Sequence, residues 1–386
     1  MKINILITIT ILLIALFLTQ ETSAIPAFAR KYNFSCNVCH YTPPKLKAFG
    51  EDFAANGFQI PDKEPSRFYR KTGDDELLLM KEFPFAARVE LYGQYENGRE
   101  SNPDLRGPWI LKMMSAGNIA KDVSYYFYYF LSERGKMAGI EDAFIAFNDL
   151  IGEQDLDLVV GQFQVSDPLF KRELRLELED YKIYTIKPGK SEASLKYDRG
   201  LYFAYGLPTK TDLAFMIVNG NGIETADVFD VDKYKNFMFR ASQDLTDYLR
   251  IGGFGYYGQE QPTDFKNQLW MAGADLTFHR KFFELNAQYV FRSDDNPELL
   301  PTKPTDEIKS NGGFIELLLS PDFDKSKWTG ALLYNIVDSD FSNLKYQSYT
   351  GMLSYSLRRN IRLTGEYTYI KDTKTSRFAL GLWTAF

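Results

Sequence analysis

An all-β fold is what this 386-residue sequence predicts: an antiparallel β-barrel of about 16 strands, preceded by a small, mostly α-helical domain. Three observations predict it. From residue 84 onward apolar residues recur with period two. Connections between the alternating segments are long and short by turns. Aromatic residues make up 16% of the chain while the mean hydropathy is only -0.30. A barrel wall with one face to lipid and one to water averages polar in this way, so the barrel is of the outer-membrane kind.

The alternation is explicit in several segments. Ala87, Val89, Leu91, Gly93 and Tyr95 are interleaved with Arg88, Glu90, Tyr92 and Gln94. Phe283, Leu285, Ala287, Tyr289 and Phe291 are interleaved with Glu284, Asn286, Gln288 and Arg292. Ile361, Leu363, Gly365, Tyr367 and Tyr369 repeat the pattern. A soluble sandwich also alternates, so the repetition carries the argument. Strands are expected to begin near Phe85, Trp109, Val123, Ile140, Leu156, Gly200, Leu213, Asn236, Leu249, Leu269, Phe282, Gly313, Trp328, Lys345, Arg362 and Arg377.

Long connections are expected at 98–108, 165–197, 222–234, 258–266 and 294–309. Short ones fall near Lys121, Gly152, Thr209, Thr246, Arg280, Asp324 and Asn360. Long outside and short inside is the habit of outer-membrane barrels. The last strand, Arg377 to Phe386, alternates and stops on an aromatic, like the terminal signal read by barrel-assembly machinery. The 165–197 connection carries Phe170, Leu174, Leu178 and Tyr181 at helical spacing. So long a loop predicts a function, and we expect it to fold into the lumen.

Ahead of the barrel come three pieces. Lys2, the apolar run Ile3 to Leu18 and Thr22-Ser23-Ala24 read as a signal peptide over 1–24. Residues 25–60 form the small domain. There Thr42 and Pro43 are expected to start a helix, with Leu46, Phe49 and Phe53 on one face and Gly57 as its stop. Residues 61–83 read as a linker, and 84–386 as the barrel.

The chemistry is concentrated in Cys36-Asn37-Val38-Cys39-His40. Two thiols three apart can add to the two vinyl groups of one haem, and the histidine that follows can ligate its iron. These are the only cysteines, and His279 is the only other histidine. A redox dithiol or half a zinc site would leave the adjacent imidazole unexplained. Residues 25–60 are therefore expected to be a monohaem c-type cytochrome domain, with Cys36 and Cys39 as thioether positions and His40 as proximal ligand. Met80 and His279 are the candidates for the distal position. Methionine would raise the potential and histidine would lower it. Asp227, Asp230 and Asp232 are candidates for Fe(II) capture, and Asp294, Asp295 and Glu298 form a second acidic group. Net charge is -6 and no basic block occurs, so nucleic acid is not an expected partner.

The run Pro26-Ala27-Phe28-Ala29-Arg30, then Cys36-x-x-Cys39-His40, then Pro44, Leu46, Gly50, Phe53 and Gly57, resembles the fused outer-membrane cytochrome–porins. That family joins a monohaem cytochrome to a barrel and includes the iron oxidases of iron-oxidising bacteria. The motif spans residues 25–58, and the architecture spans the mature chain. After Arg30 the iron oxidases continue Gln-Thr-Gly, whereas this chain reads Lys31-Tyr32-Asn33. That departure leaves another electron donor open. Gly161-Gln162-Phe163 also resembles phosphate-type porins. The resemblance implies one haem c and an outer-membrane location, with the haem domain periplasmic or inside the lumen. It also implies electron flow from extracellular Fe(II) to a periplasmic c-type cytochrome, an Fe(II):cytochrome c oxidoreductase activity. A haem-plugged porin, or a conduit for a donor or acceptor other than Fe(II), is the alternative.

Overall fold

The computed structural model describes residues 27–40, 45–58, 60, 70, 72–74, 76–77, 79–81, 83–100, 102–152, 154–170, 180–223, 228–322 and 325–386. The expected signal peptide lies outside them. Two short helices, α1 (Ala27–Tyr32) and α2 (Ala48–Ala55), flank a 3-10 turn at Cys36–Val38. Sixteen strands follow: β1 (Phe85–Glu96), β2 (Asp104–Ala120), β3 (Val123–Glu133), β4 (Gly139–Phe147), β5 (Leu156–Gln164), β6 (Tyr197–Leu207), β7 (Thr211–Val218), β8 (Asn236–Thr246), β9 (Leu249–Glu260), β10 (Asn267–Arg280), β11 (Phe283–Asp294), β12 (Ile308–Leu319), β13 (Trp328–Ser339), β14 (Tyr346–Arg358), β15 (Ile361–Ile370) and β16 (Thr375–Ala385).

Each strand pairs with its sequence neighbour, and β16 returns to β1, so the barrel is closed. At the seam the terminal residue completes the ladder. Phe386 N–H donates to the Ala87 carbonyl (2.9 Å), and Ala87 N–H donates to that of Phe386 (2.7 Å). Closure leaves no edge strand to be satisfied by solvent.

The faces are sorted opposite to a soluble protein. Leu91, Tyr95, Phe239, Phe291, Leu353 and Leu380 point outward and are exposed, whereas Glu90, Arg240, Arg292, Glu316 and Arg362 point inward and are buried. Strand starts fall where the alternation predicts them, except that β2 and β12 begin about five residues early. Both extensions are at long-loop ends. There the ladder pairing runs on beyond the segment that alternates clearly in sequence. The even-to-odd turns are short, among them 121–122, 208–210 and 281–282, and the odd-to-even connections include 165–196 and 295–307.

In the small unit Phe28, Phe53 and Phe58 pack ring on ring, with Phe34 and Phe49 at the margin. Its main helix starts later than expected, at Ala48, and Thr42 and Pro43 lie outside the described residues. The reason is local pairing. His40 and Leu46 form an antiparallel bridge, and Lys47 N–H donates to the Cys39 carbonyl (2.8 Å). The chain must fold back on the motif before it can become helical. Among the described residues no helix is long and apolar enough to cross a membrane.

Candidate functional site

The motif is one tight bend. Val38 N–H donates to Ser35 O (3.0 Å) and His40 N–H to Cys36 O (2.9 Å), which places both thiols and the imidazole on a single turn. Both cysteines are unbridged and half-buried. Burial pushes the Cys36 thiol up, against a smaller pull from its own backbone and from Arg359 in the β14–β15 turn. Burial likewise raises Cys39. Gly50 of α2 lies against the Cys39 carbonyl, where a Cβ would overlap the oxygen. The helix therefore rests directly on the motif. Two free thiols and an imidazole on one rigid turn are the donor set that a c-type haem requires, so the residues present fit that group.

The unit sits at the short-turn end of the barrel and touches inward-facing residues on opposite walls. On one side Asn148 Nδ2 donates to Ala55 O (2.9 Å), and the Phe58 ring stacks on Tyr126 of β3 (5.7 Å between centroids). Gly57 turns beside Ser124 and Asn148 with φ +62°, and a Cβ would collide with both side chains. Arg30 donates to the Phe85 carbonyl at the start of β1. On the far side Lys45 Nζ pairs with Glu284 of β11 at 2.9 Å.

The same strand also holds the long loop. The polar inward residues of β11 include Glu284, Asn286, Gln288 and Arg292, with buried Val290 between the last two. Gln288 accepts a hydrogen bond from the Tyr184 hydroxyl. Arg292 donates to Ile186 O (3.0 Å), Ala193 O (2.7 Å) and Ser191 Oγ (2.7 Å), and its guanidinium is fixed by Asp294 (2.7 Å). Tyr181 donates to Glu316 (2.6 Å) and stacks on Phe314 (3.9 Å). Tyr181, Ile183, Tyr184, Ile186 and Leu195 thus bury an apolar core with Met216, Tyr256, Met271 and Val337 of the wall. The expected inward fold of this loop is present over residues 180–197. Phe170 packs on Phe314, while Leu174 and Leu178 lie outside the described residues.

The remaining sequence candidates separate. His279 closes β10 on the inward register, paired with Glu284, and so lies in the corner that receives Lys45. Met80 does not share that space. Its sulfur lies at Gly117, on the outward face of β2, so the wall stands between it and the motif. Asp227 lies outside the described residues. Asp230 is held by Lys235, and Asp232 accepts the backbone N–H of Tyr234 (2.7 Å) and Gln261 (2.6 Å). Their oxygens fold the loop instead of converging. Asp294 and Asp295 are similarly taken by Arg292 and Lys303. Among the described residues, the carboxylates that do converge are Asp149, Asp155 and Asp157 at the β4–β5 turn, with oxygens within 4.8 Å of one another. Sequence reasoning missed them, together with Lys45, Asn148 and the β11 ladder.

Solved structures share this architecture. The anion-selective porin of Comamonas acidovorans superposes with a TM-score of 0.54 at 10% identity, over 79% of this chain and 99% of that one. The outer-membrane channel DcaP of Acinetobacter baumannii gives 0.55 at 15%, over 78% and 96%. The fold is that of a porin-like outer-membrane barrel. OmpF of Salmonella typhi gives 0.54 at 10% identity, over 79% and 98%. At such identities the likeness concerns the barrel fold alone. No protein-family model and no curated protein matches the chain.

Proposed function

We propose that this porin-like barrel is an outer-membrane electron-transfer protein. It takes electrons from an extracellular donor, most simply Fe(II), and delivers them to a periplasmic c-type cytochrome. Cys36 and Cys39 would hold haem c through thioethers, and His40 would ligate its iron. When bound, the haem supplies reversible one-electron chemistry at the lumen's short-turn end. The observation that carries the reading is the seat of the motif unit between the walls, clasped by Lys45–Glu284, Asn148–Ala55 and Phe58–Tyr126.

The chain's own residues then have defined tasks. Phe28, Phe53 and Phe58 provide the apolar bed behind the motif. Gly50 lets α2 brace Cys39 without an intervening side chain. Of the two distal candidates, His279 is favoured by its position beside Glu284 and Lys45. The loop residues Tyr181 to Leu195 pack apolar side chains against the lumenal face of the wall from β5 to β13. Fe(II) as donor rests on the resemblance to iron oxidases. The test is stopped-flow spectroscopy of the purified full chain mixed with Fe²⁺. Rapid reduction of a haem band supports the proposal, and a spectrum unchanged over minutes removes Fe(II) as donor.

The fold likeness to porins favours a second reading, a diffusion pore that the small unit closes. Planar-bilayer conductance decides between them. A full-length chain that passes solutes freely, with no redox response at all, would favour the pore.

A further inference from the structure

We propose that Leu77, Leu79, Met80, Phe83 and Pro84 form a lipid-facing strap that fastens the lumenal unit to the outside of the wall. Its partner is the phospholipid leaflet at the short-turn end. The inference rests on the outer-membrane placement of the barrel and is independent of haem.

Strand β3 is gripped on both faces by one stretch of chain. Its inward residues Ser124 and Tyr126 receive Gly57 and Phe58. Its outward residues Tyr125 and Phe127 receive Phe83, whose ring stacks on each at 6.1 Å. On neighbouring β2 the outward Ser115 Oγ donates to Pro84 O (2.5 Å), and both residues are buried. Gly117, also outward, leaves a gap. A Cβ there would reach Pro84 at 3.5 Å and Met80 at 3.8 Å. Phe58 therefore contacts the lumenal face of β3, while Met80 and Phe83 lie against the outer face of β2 and β3.

Once outside, the strap is itself two-faced. Met80 and Pro84 turn to the wall. Leu77 and Leu79 are 44% and 43% exposed, and Phe83, although its ring lies on Tyr125 and Phe127, remains 57% exposed. Phe127 lies four residues into β3, about 13 Å along the strand from its start, so this apolar face stands at the level of the barrel's own outward belt. Ile119 on β2 and Ile145 on β4 continue it. In water such a patch would be a liability, whereas against acyl chains it is solvated. The exposed Lys81 between them can extend its ammonium to headgroups while its stem stays apolar. An aromatic level with the interface is a usual anchor of membrane proteins.

The test places the photocrosslinker p-benzoylphenylalanine at Leu79 or Phe83 of the full chain, inserted into phosphatidylethanolamine–phosphatidylglycerol vesicles. Leu363, outward and exposed two residues into β15, serves as reference. Lipid adducts at Leu79 and Phe83 within about twofold of the Leu363 yield are expected. Adducts at Leu363 with none at either strap position would overturn the strap. Absence of adducts at all three positions would overturn the membrane placement and the strap together.

Discussion

Glu284 and Gln288 lie four residues apart on β11 and point the same way, one holding Lys45 of the small unit and the other Tyr184 of the long loop. About 13 Å of a single strand thus separates the two bodies that enter the lumen. A change at either residue should be read by both, because they share a rigid strand.

Reversing the Lys45–Glu284 pair tests the seat. Lys45→Glu should release the small unit and open residues 27–58 to protease, while barrel mobility in gels stays unchanged. Lys45→Glu combined with Glu284→Lys should restore protection. The pair is partly buried, 16% and 20% exposed, so a double-mutant cycle should give a coupling of about 1 kcal/mol. No recovery in the swapped variant would show that the contact is incidental.

Gly57→Ala should loosen the same seat by a different route. The position has φ +62° and Ser124 and Asn148 on top of it. Strain of about 1–3 kcal/mol is expected, seen as faster amide exchange in α2 with little change in the strands.

Arg292→Met should free the long loop. The guanidinium serves two loop carbonyls, Ser191 and Asp294 at once. Removing it leaves a buried carboxylate unpaired, at a cost of about 3–5 kcal/mol. Faster exchange over residues 181–195 and a higher single-channel conductance should follow.

The two distal candidates predict opposite spectra. His279→Ala should alter the haem band of the loaded protein, and Met80→Ala should not, because β2 and β3 stand between Met80 and the motif. An altered band in Met80→Ala alone would mean that the linker packs on the other face of the wall.

Alkylation of the haem-free chain measures the thiols. Burial raises both above their ordinary range, and the thiolate is the reactive form. At neutral pH the reaction should be slower than for an exposed cysteine, and it should accelerate as pH rises toward the raised values. By linkage, these thiols favour the folded unit below their ordinary range and lose that contribution as pH climbs through the folded values.

The sequence by itself determined the barrel and the motif. Period-two alternation is local, because each residue's face is fixed by its neighbours, and Cys36 to His40 lie within one turn. Strand number, loop parity and the thiol–imidazole set could all be read without a fold. Only the tertiary structure decided where the small unit sits. Lys45 and Glu284 are 239 positions apart, Asn148 and Ala55 are 93 apart, and no periodicity links such partners. The same reason separated Met80 from the motif. Proximity in sequence suggested a ligand, but Met80 lies at Gly117 on the outer face, beside Pro84 and Tyr125. Which side of a closed wall a segment occupies is a property of the closed barrel, and it does not exist until β16 meets β1.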